Sequence, residues 1–203
     1  ICLTVFGNRN QKKKYEAKVR ERDTKYNAYL DEIEKQIEEL KNQQRSAMLL
    51  ANPSLTECAV ILKNKDPRLW NRRLTDDDFM QLRAGVGEGG ISFEVKGQKK
   101  GFTMEEDRLL VRAQEIIEKS GTLPDAPVLC DVNGDRLVGV IGERKSAIWL
   151  VKNMILQAVT HHSYEELKLV TVYSKREAAQ WDWVRWLPHS FDEMRENRFV
   201  IRR

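Results

Sequence analysis

Eight residues of this chain have the spacing of a phosphate-binding loop in which one position is changed. Residues Gly139 to Ser146 follow the pattern G-x-x-x-x-G-K-S/T, except that Arg144 replaces the second glycine. In such a loop the backbone N–H groups and the lysine bind phosphates, and the Ser or Thr hydroxyl binds Mg²⁺. The candidate nucleotide-binding residues are therefore Gly139, Lys145 and Ser146. Because a side chain at Arg144 crowds the tight turn, we expect a degenerate site that requires no cofactor, with ATP and Mg²⁺ as its candidate ligands.

The elements predicted around this loop are those that would position it. Residues 135–141 are predicted to form a strand that is buried from Leu137 to Ile141, and residues 146–159 a helix directly after the loop. Further strands are predicted at 128–132, 167–173 and 199–201, with a helix at 175–186. This alternation is typical of α/β proteins with a parallel sheet. We therefore expect a degenerate P-loop-like parallel or mixed sheet with flanking helices.

The remaining residues of chemical interest do not form a second site. The three cysteines, Cys2, Cys58 and Cys130, lack metal-ligand spacing, and an odd number leaves one unpaired, which favours a reducing compartment. The three histidines form no His/Cys or His/carboxylate arrangement along the sequence. We therefore predict no metal site and no catalytic residue in this chain.

The N-terminal third of the chain is predicted to be one long helix. Apolar residues recur every three or four positions from Tyr15 to Met48, and residues 11–51 contain no glycine or proline. At 1.5 Å per residue a helix over Gln11 to Leu50 is roughly 60 Å long. Its apolar stripe is narrow, as in a coiled coil. We expect a stalk that projects from the α/β domain and whose seam meets the helix after Pro53 or a neighbouring stalk; the alternative is a surface helix docked on its own domain.

A second helix and a β-hairpin are predicted to follow. Pro53 ends the long helix, and Ser54 with Glu57 forms a capping box for a helix over residues 55–63. Residues 80–86 and 91–95 then alternate apolar and polar side chains, and a glycine-rich link joins them, which predicts a hairpin. These glycines could instead cradle a phosphate, but no Lys-Ser/Thr follows them. Thr103 is predicted to cap the next helix, which ends near Ser120.

The first residues of the chain leave two alternatives open, a membrane-proximal segment and a frayed terminus or stray strand. Residues 1–6 are mostly apolar, and the basic residues Arg9 and Lys12 to Lys14 follow, as after a truncated transmembrane helix. Six residues cannot span a bilayer, which needs about 20, so a frayed terminus is the alternative. The net charge of +4 gives only weak support for a nucleic-acid partner.

Several segments of the chain resemble a known family. They are Tyr26–Leu30, Leu69–Arg73, Asp78–Gly87 and the tryptophan-rich Trp181–His189, and they are spread over nearly the whole chain. These segments are similar to EssC/EccC-type ATPases of the FtsK/SpoIIIE family, which belong to type VII secretion systems. In that family two transmembrane helices precede a stalk and a first ATPase-like domain, and FtsK-type ATPase domains follow.

The resemblance implies an organisation and a location for this chain. Residues 1–66 would be the membrane-proximal segment and helical stalk, and residues 67–203 a degenerate ATPase-like α/β domain truncated at its C-terminus. The chain would lie on the cytoplasmic side of the cell membrane, attached through the preceding transmembrane helices. Its partners would be other type VII secretion subunits and the downstream ATPase domains of the same protein, in an oligomeric machine. No nucleic acid is expected.

Three functions follow as alternatives. The favoured one is a stalk and coupling domain of a protein secretion motor. The second is an active ATP-binding and ATP-hydrolysing domain, against which stand Arg144 and the absence of a Walker B acid, because the predicted strand at 167–173 is followed by Ser174-Lys175. The third is a DNA-translocation module, for which Trp181, Trp183 and Trp186 could stack bases. We expect instead that Trp183 and Trp186 are mostly buried against the sheet and that Trp181 lies at the margin or at an interface.

Overall fold

The computed structural model describes the backbone of residues 2–97 and 107–203, and the side chains from residue 11 onward within those ranges. The chain mixes helices with short sheets and divides into two compact units. The first unit comprises Ile1–Met48 and Glu88–Ala126, and the second comprises Leu49–Gly87 and Pro127–Arg203. The predicted cap at Thr103 lies outside the described residues. No described helix is both long enough and apolar enough to cross a bilayer.

The first unit is built on the long N-terminal helix, which confirms the predicted continuous helix. Helix α1 spans Cys2–Ala51, and helix α3 spans Arg108–Ser120. Leu30 and Ile37 of α1 are buried against Ile116 of α3, and partly buried side chains surround them, namely Tyr26, Ile33, Phe93, Val95 and Ala113. The partner of the apolar seam is therefore α3 together with residues 93–95, in place of the one expected from the sequence.

Polar side chains of α1 fix the chain that packs on it. Lys41 is buried, and its Nζ donates a hydrogen bond at 3.0 Å to the carbonyl of Lys119, near the end of α3. Arg112 of α3 donates to Asn27 Oδ1 at 2.7 Å and pairs with Asp31. A basic side chain near a helix C-terminus also interacts favourably with the helix dipole. These contacts hold α3 along α1 in one register.

The predicted β-hairpin is wrong, because residues 81–90 form one continuous strand. Strand β1 (Gln81–Gly90) pairs with strand β2 (Thr122–Asp131), which follows α3. No described glycine has a positive φ, so the glycines do not make a turn. A Cβ on Gly87 would lie 3.1 Å from Val128 Cγ2, and one on Gly89 would lie 2.9 Å from Ala126 Cβ. These two glycines are needed for close approach of β2.

The second unit begins with helix α2 (Leu55–Asn64), whose start confirms the predicted capping box. Ser54 accepts from the Glu57 N–H, and the Glu57 carboxylate accepts from the Ser54 N–H at 2.7 Å. Helix α2 packs against helix α5 (Arg144–His161), which confirms the helix predicted after the loop. The buried residues of α2 are Cys58 and Ile61.

The sheet of the second unit is smaller than predicted. Strands β3 (Thr171–Tyr173) and β4 (Val200–Arg202) pair in parallel, with Val172 opposite Ile201. The strand expected over 135–141 is not formed: α4 spans Val132–Asp135, and the residues after it are irregular, with Leu137 88% exposed and Ile141 99% exposed. Since no described strand pairs with this segment, its apolar residues have no sheet to join. The P-loop-like sheet is therefore not confirmed.

The tryptophan-rich segment is broken into short turns rather than forming the predicted helix over 175–186. It consists of 3₁₀ turns at Lys175–Glu177, Asp182–Trp186 and Pro188–Ser190, with the short helix α6 (Ala178–Trp181) between the first two. Trp186 is 71% exposed, so its predicted burial is wrong. The buried residues of this segment are Val184, His189 and Ser190.

Candidate functional site

The segment with the phosphate-loop spacing, residues 139–146, runs into the start of helix α5 and does not form a tight turn. Gly139 and Gly142 have no heavy atom within 4 Å of the position that a Cβ would take. Arg144, which occupies the place of the second glycine, is the first residue of α5. Its guanidinium points away to Glu177, with Nη2 2.6 Å from the carboxylate oxygen. The arginine is therefore accommodated as a helical residue that makes an ion pair.

A carboxylate of the chain itself caps the N-terminus of α5. Glu143 Oε2 accepts a hydrogen bond from the Ser146 N–H at 3.0 Å and from the Ser146 hydroxyl at 3.0 Å. Hydrogen bonds from the Ser146 and Lys145 backbones, then from the Ser146 hydroxyl, hold the pKa of Glu143 below its ordinary value. Free N–H groups at a helix N-terminus are the groups that bind a phosphate in a working loop. Here an internal anion takes them.

The three predicted binding residues, Gly139, Lys145 and Ser146, lie in different surroundings. Ser146 donates its hydroxyl to Glu143, and Gly139 lies in the exposed segment before the helix. Lys145 lines an open groove of about 440 Å³, together with residues of the same helix and its neighbours, namely Leu55, Ile148, Trp149, Lys152, Asn153, Leu156 and Gln180. The structure thus brings Ser146 to the helix N-terminus but turns it toward Glu143.

No acid stands at the end of β3 where a Walker B carboxylate is expected. Tyr173 ends this strand, and its hydroxyl donates to Asp182 Oδ1 at 2.8 Å. Asp182 also forms an ion pair with Arg202 of β4 at 2.9 Å. Both contacts tie Asp182 to the small sheet. Asp182 is therefore engaged in contacts with β3 and β4.

Three histidines, His161, His162 and His189, are buried, and the sequence did not predict their burial. His162 accepts from the Met80 N–H through Nε2 at 3.0 Å, and its Nδ1 contacts the Ala158 carbonyl at 2.8 Å. Burial, above all, lowers the pKa of His161 to about 3 and holds the pKa values of His162 and His189 below their ordinary range. These histidines are neutral at pH 7, and a sequence signal for them was the adjacent pair at 161–162.

Glu143 was also missed, although one signal was present. The notable feature is an acidic residue directly before a predicted helix, where the helix dipole favours a negative charge. The phosphate-loop pattern treats this position as variable and drew attention to Lys145 and Ser146. Among the described residues no group of His, Cys, Asp and Glu side chains could hold a metal ion.

Comparison with known proteins finds relatives that match most of the chain. No family model matches the chain. The chain is 31% identical over 180 residues, or 89% of its length, to type VII secretion system protein EssC of Staphylococcus aureus strain NCTC 8325. It is 29% identical over 180 residues to the protein of the same name in strain MSSA476. It is 26% identical over 190 residues, or 93% of its length, to ESX secretion system protein EccC of Geobacillus thermodenitrificans. The chain spans only 12% of the length of the EssC proteins and 13% of EccC.

Proposed function

Because this chain belongs to the EssC/EccC-type family of type VII secretion proteins, we propose that it is the stalk and degenerate ATPase-like coupling domain of a membrane-anchored secretion motor. It acts on the cytoplasmic side of the cell membrane, between the membrane and the FtsK-type ATPase domains that follow in the full protein. Its partners are those domains and other subunits of the secretion machine. ATP is neither bound tightly nor hydrolysed by this segment.

The observation that carries the proposal is the Glu143 cap on α5. A nucleotide phosphate at this helix N-terminus would meet a carboxylate that already accepts the Ser146 N–H and hydroxyl. Displacing that carboxylate loses its hydrogen bonds and brings two anions together. In addition, the positive charge of Arg144 is already paired with the Glu177 carboxylate. These contacts support a coupling role over the alternative of an active ATPase.

The geometry of α1 supports the stalk. Residues 26–37 supply the apolar side chains that α1 packs in the first unit, whereas almost all the side chains of residues 11–25 are exposed. The helix is continuous through both parts. A continuous helix transmits displacement along its axis because its backbone hydrogen bonds resist bending. We infer that α1 passes movement between the membrane and the packed units.

Nucleotide binding is tested on the 203-residue chain. We expect isothermal titration with ATP and Mg²⁺ to give a dissociation constant above about 1 mM, with no phosphate release. Lys145→Ala should change neither result. Lys152→Ala is the matched control, because it lines the same groove two helical turns further along α5. Micromolar binding that Lys145→Ala abolishes and Lys152→Ala preserves would establish the active-ATPase alternative.

The coupling role is tested in the full-length secretion protein. Seven glycine and serine residues are inserted between Lys18 and Val19, in the part of α1 outside the packed cluster. Seven alanines at the same point are the control, since seven residues make nearly two helical turns and preserve both the helix and its facing. We expect the flexible insertion to stop secretion and the helical insertion to retain it. Equal secretion from both would contradict a coupling function for α1.

A further inference from the structure

The second unit presents a large aromatic side chain that its own core does not use. Trp186 is 71% exposed. A tryptophan is normally among the more buried residues of a protein, and an exposed one in a fixed position is a frequent centre of binding energy in interfaces. Its function is therefore unexplained by the packing of the unit that carries it.

The turn that carries Trp186 is held firmly by buried neighbours. The Ser190 hydroxyl donates to the Val184 carbonyl at 2.8 Å, and the Leu187 N–H donates to the same carbonyl at 3.1 Å. Val184 and Ser190 are both fully buried. The backbone on either side of Trp186 is thus fixed before any partner arrives, which lowers the entropy cost of binding through its ring.

Two arginines flank the ring. The guanidinium carbon of Arg185 lies 5.4 Å from the centre of the Trp186 ring, and that of Arg198 lies 5.2 Å from it. The guanidinium carbon of Arg198 also lies 5.1 Å from the centre of the Phe191 ring, and Phe191 and Arg198 form an antiparallel bridge on either side of residues 192–197. These cation–π contacts orient both guanidinium groups beside the tryptophan.

The positive charges of these arginines are not neutralised by ion pairs. Within the described part of the second unit, the ion pairs engage four other arginines, namely Arg68, Arg72, Arg144 and Arg202. Arg198 is exposed, and Arg185 is half-buried. Arginine beside an aromatic ring is a composition enriched in protein interfaces, and a free guanidinium fork matches a carboxylate.

We propose that Trp186, Arg185 and Arg198 form a docking surface for an acidic segment of another protein. An apolar or aromatic side chain of that segment packs on the exposed part of the Trp186 ring, and its carboxylates pair with the two guanidinium groups. The surface goes beyond the proposed coupling function, and it does not depend on whether α5 binds a nucleotide.

A peptide fits this surface better than a nucleic acid does. The turn at 192–197 that precedes Arg198 also carries Asp192, Glu193 and Glu196. A phosphate backbone would meet these carboxylates as well as the arginines, whereas a short peptide can place one or two carboxylates on the arginines alone. Single-stranded nucleic acids also stack successive bases on several aromatic rings. Of the three tryptophans in residues 181–186, Trp186 is exposed and the other two are partly buried.

The test uses the 203-residue chain labelled with ¹⁵N, whose five tryptophans each give one indole N–H signal. The Trp186 signal is assigned by its loss in Trp186→Ala. The probe is a seven-residue peptide of four glutamates around one phenylalanine, with glycine at both ends. We expect the Trp186 signal to move on titration and the other four to stay. Arg198→Gln should weaken binding about tenfold, and Trp149→Ala, which removes another half-exposed tryptophan, should not.

Two controls decide the identity of the occupant. The same peptide with glutamine in place of every glutamate should not move the Trp186 signal, because it lacks the charges that the arginines bind. A twelve-residue oligothymidylate should not move it either. Equal shifts from the glutamine peptide, no shift from the acidic peptide, or a shift from the oligothymidylate that exceeds that of the acidic peptide would each overturn the proposal.

Discussion

The buried arginine Arg72 gives the most direct test of how the second unit is held together. It is only 3% exposed. Its guanidinium donates to the Gln81 carbonyl at 2.6 Å, to the Ala51 carbonyl at 2.7 Å and to Asn52 Oδ1 at 3.0 Å. Its Nε lies 2.9 Å from a carboxylate oxygen of Asp78. One side chain therefore joins the end of α1, the segment around Asp78 and the start of β1.

The cost of changing Arg72 follows from these contacts. Lysine keeps the charge, but its single ammonium group cannot reach acceptors on three sides. A lost hydrogen bond to a charged donor costs about 1.5–3 kcal/mol. If Arg72→Lys loses two of them, each at the lower end of this range, the free energy of unfolding falls by about 3 kcal/mol. Arg72→Met should cost at least as much as Arg72→Lys, because it removes every hydrogen bond that the guanidinium donates to the Gln81 and Ala51 carbonyls and to Asn52.

Urea unfolding of the 203-residue chain measures these losses, and Arg73→Lys is the matched control. Arg73 is the exposed neighbour of Arg72, and a surface substitution should stay within about 0.5 kcal/mol of the wild type. We expect Arg72→Lys to lower the melting temperature by about 6–12 °C at this chain length. An Arg72→Lys variant as stable as Arg73→Lys would refute the assignment of Arg72 as the organising side chain.

Three further results are expected. Burial lowers the pKa of His161 in the folded chain to about 3, so the unfolded chain takes up the proton first as the pH falls. The free energy of unfolding should therefore fall by about 2 kcal/mol between pH 7 and pH 5. Urea unfolding at several pH values should show a smaller fall for His161→Gln, and an equal fall in the variant and the wild type would contradict this. Trp186→Ala should leave the melting temperature nearly unchanged, whereas Val184→Ala should lower it, because only Val184 is buried; equal effects would place Trp186 in the core. Glu143→Ala frees the N–H groups of α5, so inorganic phosphate should shift the Ser146 amide signal in that variant and not in Glu143→Gln, whose side-chain oxygen still caps the helix; a shift of equal size in both variants would contradict the capping role.

The helices of this fold could be predicted from the sequence because their signals are local. Residues 11–51 contain no glycine or proline, and α1 is continuous there. The Ser54–Glu57 capping box depends on residues three apart, and it forms as expected. The helix after the phosphate loop also appears, and it begins two residues earlier than predicted. Local hydrogen bonding and periodicity suffice for these elements.

The sheets could not be predicted because their pairing depends on distant residues. A glycine-rich link between two alternating runs favours a turn, yet Gly87 and Gly89 serve the close approach of β2, which lies more than thirty residues later along the chain. Likewise, the apolar run from Leu137 to Ile141 has the composition of a buried strand, but a strand forms only where another chain segment accepts its hydrogen bonds. The burial predicted for Trp186 from the spacing of the tryptophans was wrong because the segment forms 3₁₀ turns, which place side chains at other angles than an α-helix does.

The candidate site shows why a motif is best examined together with the residues that it leaves unspecified. Lys145 and Ser146 match the pattern, and as part of the complete motif they would indicate a phosphate. The outcome at this helix is decided by Glu143 and Arg144, which the pattern treats as a variable position and a missing glycine. With Arg144 as the first helical residue, the N–H groups of α5 begin at a position where Glu143 can accept them. With Arg144 in the place of the glycine and Glu143 before it, the N-terminus of α5 carries an anion that the chain itself supplies.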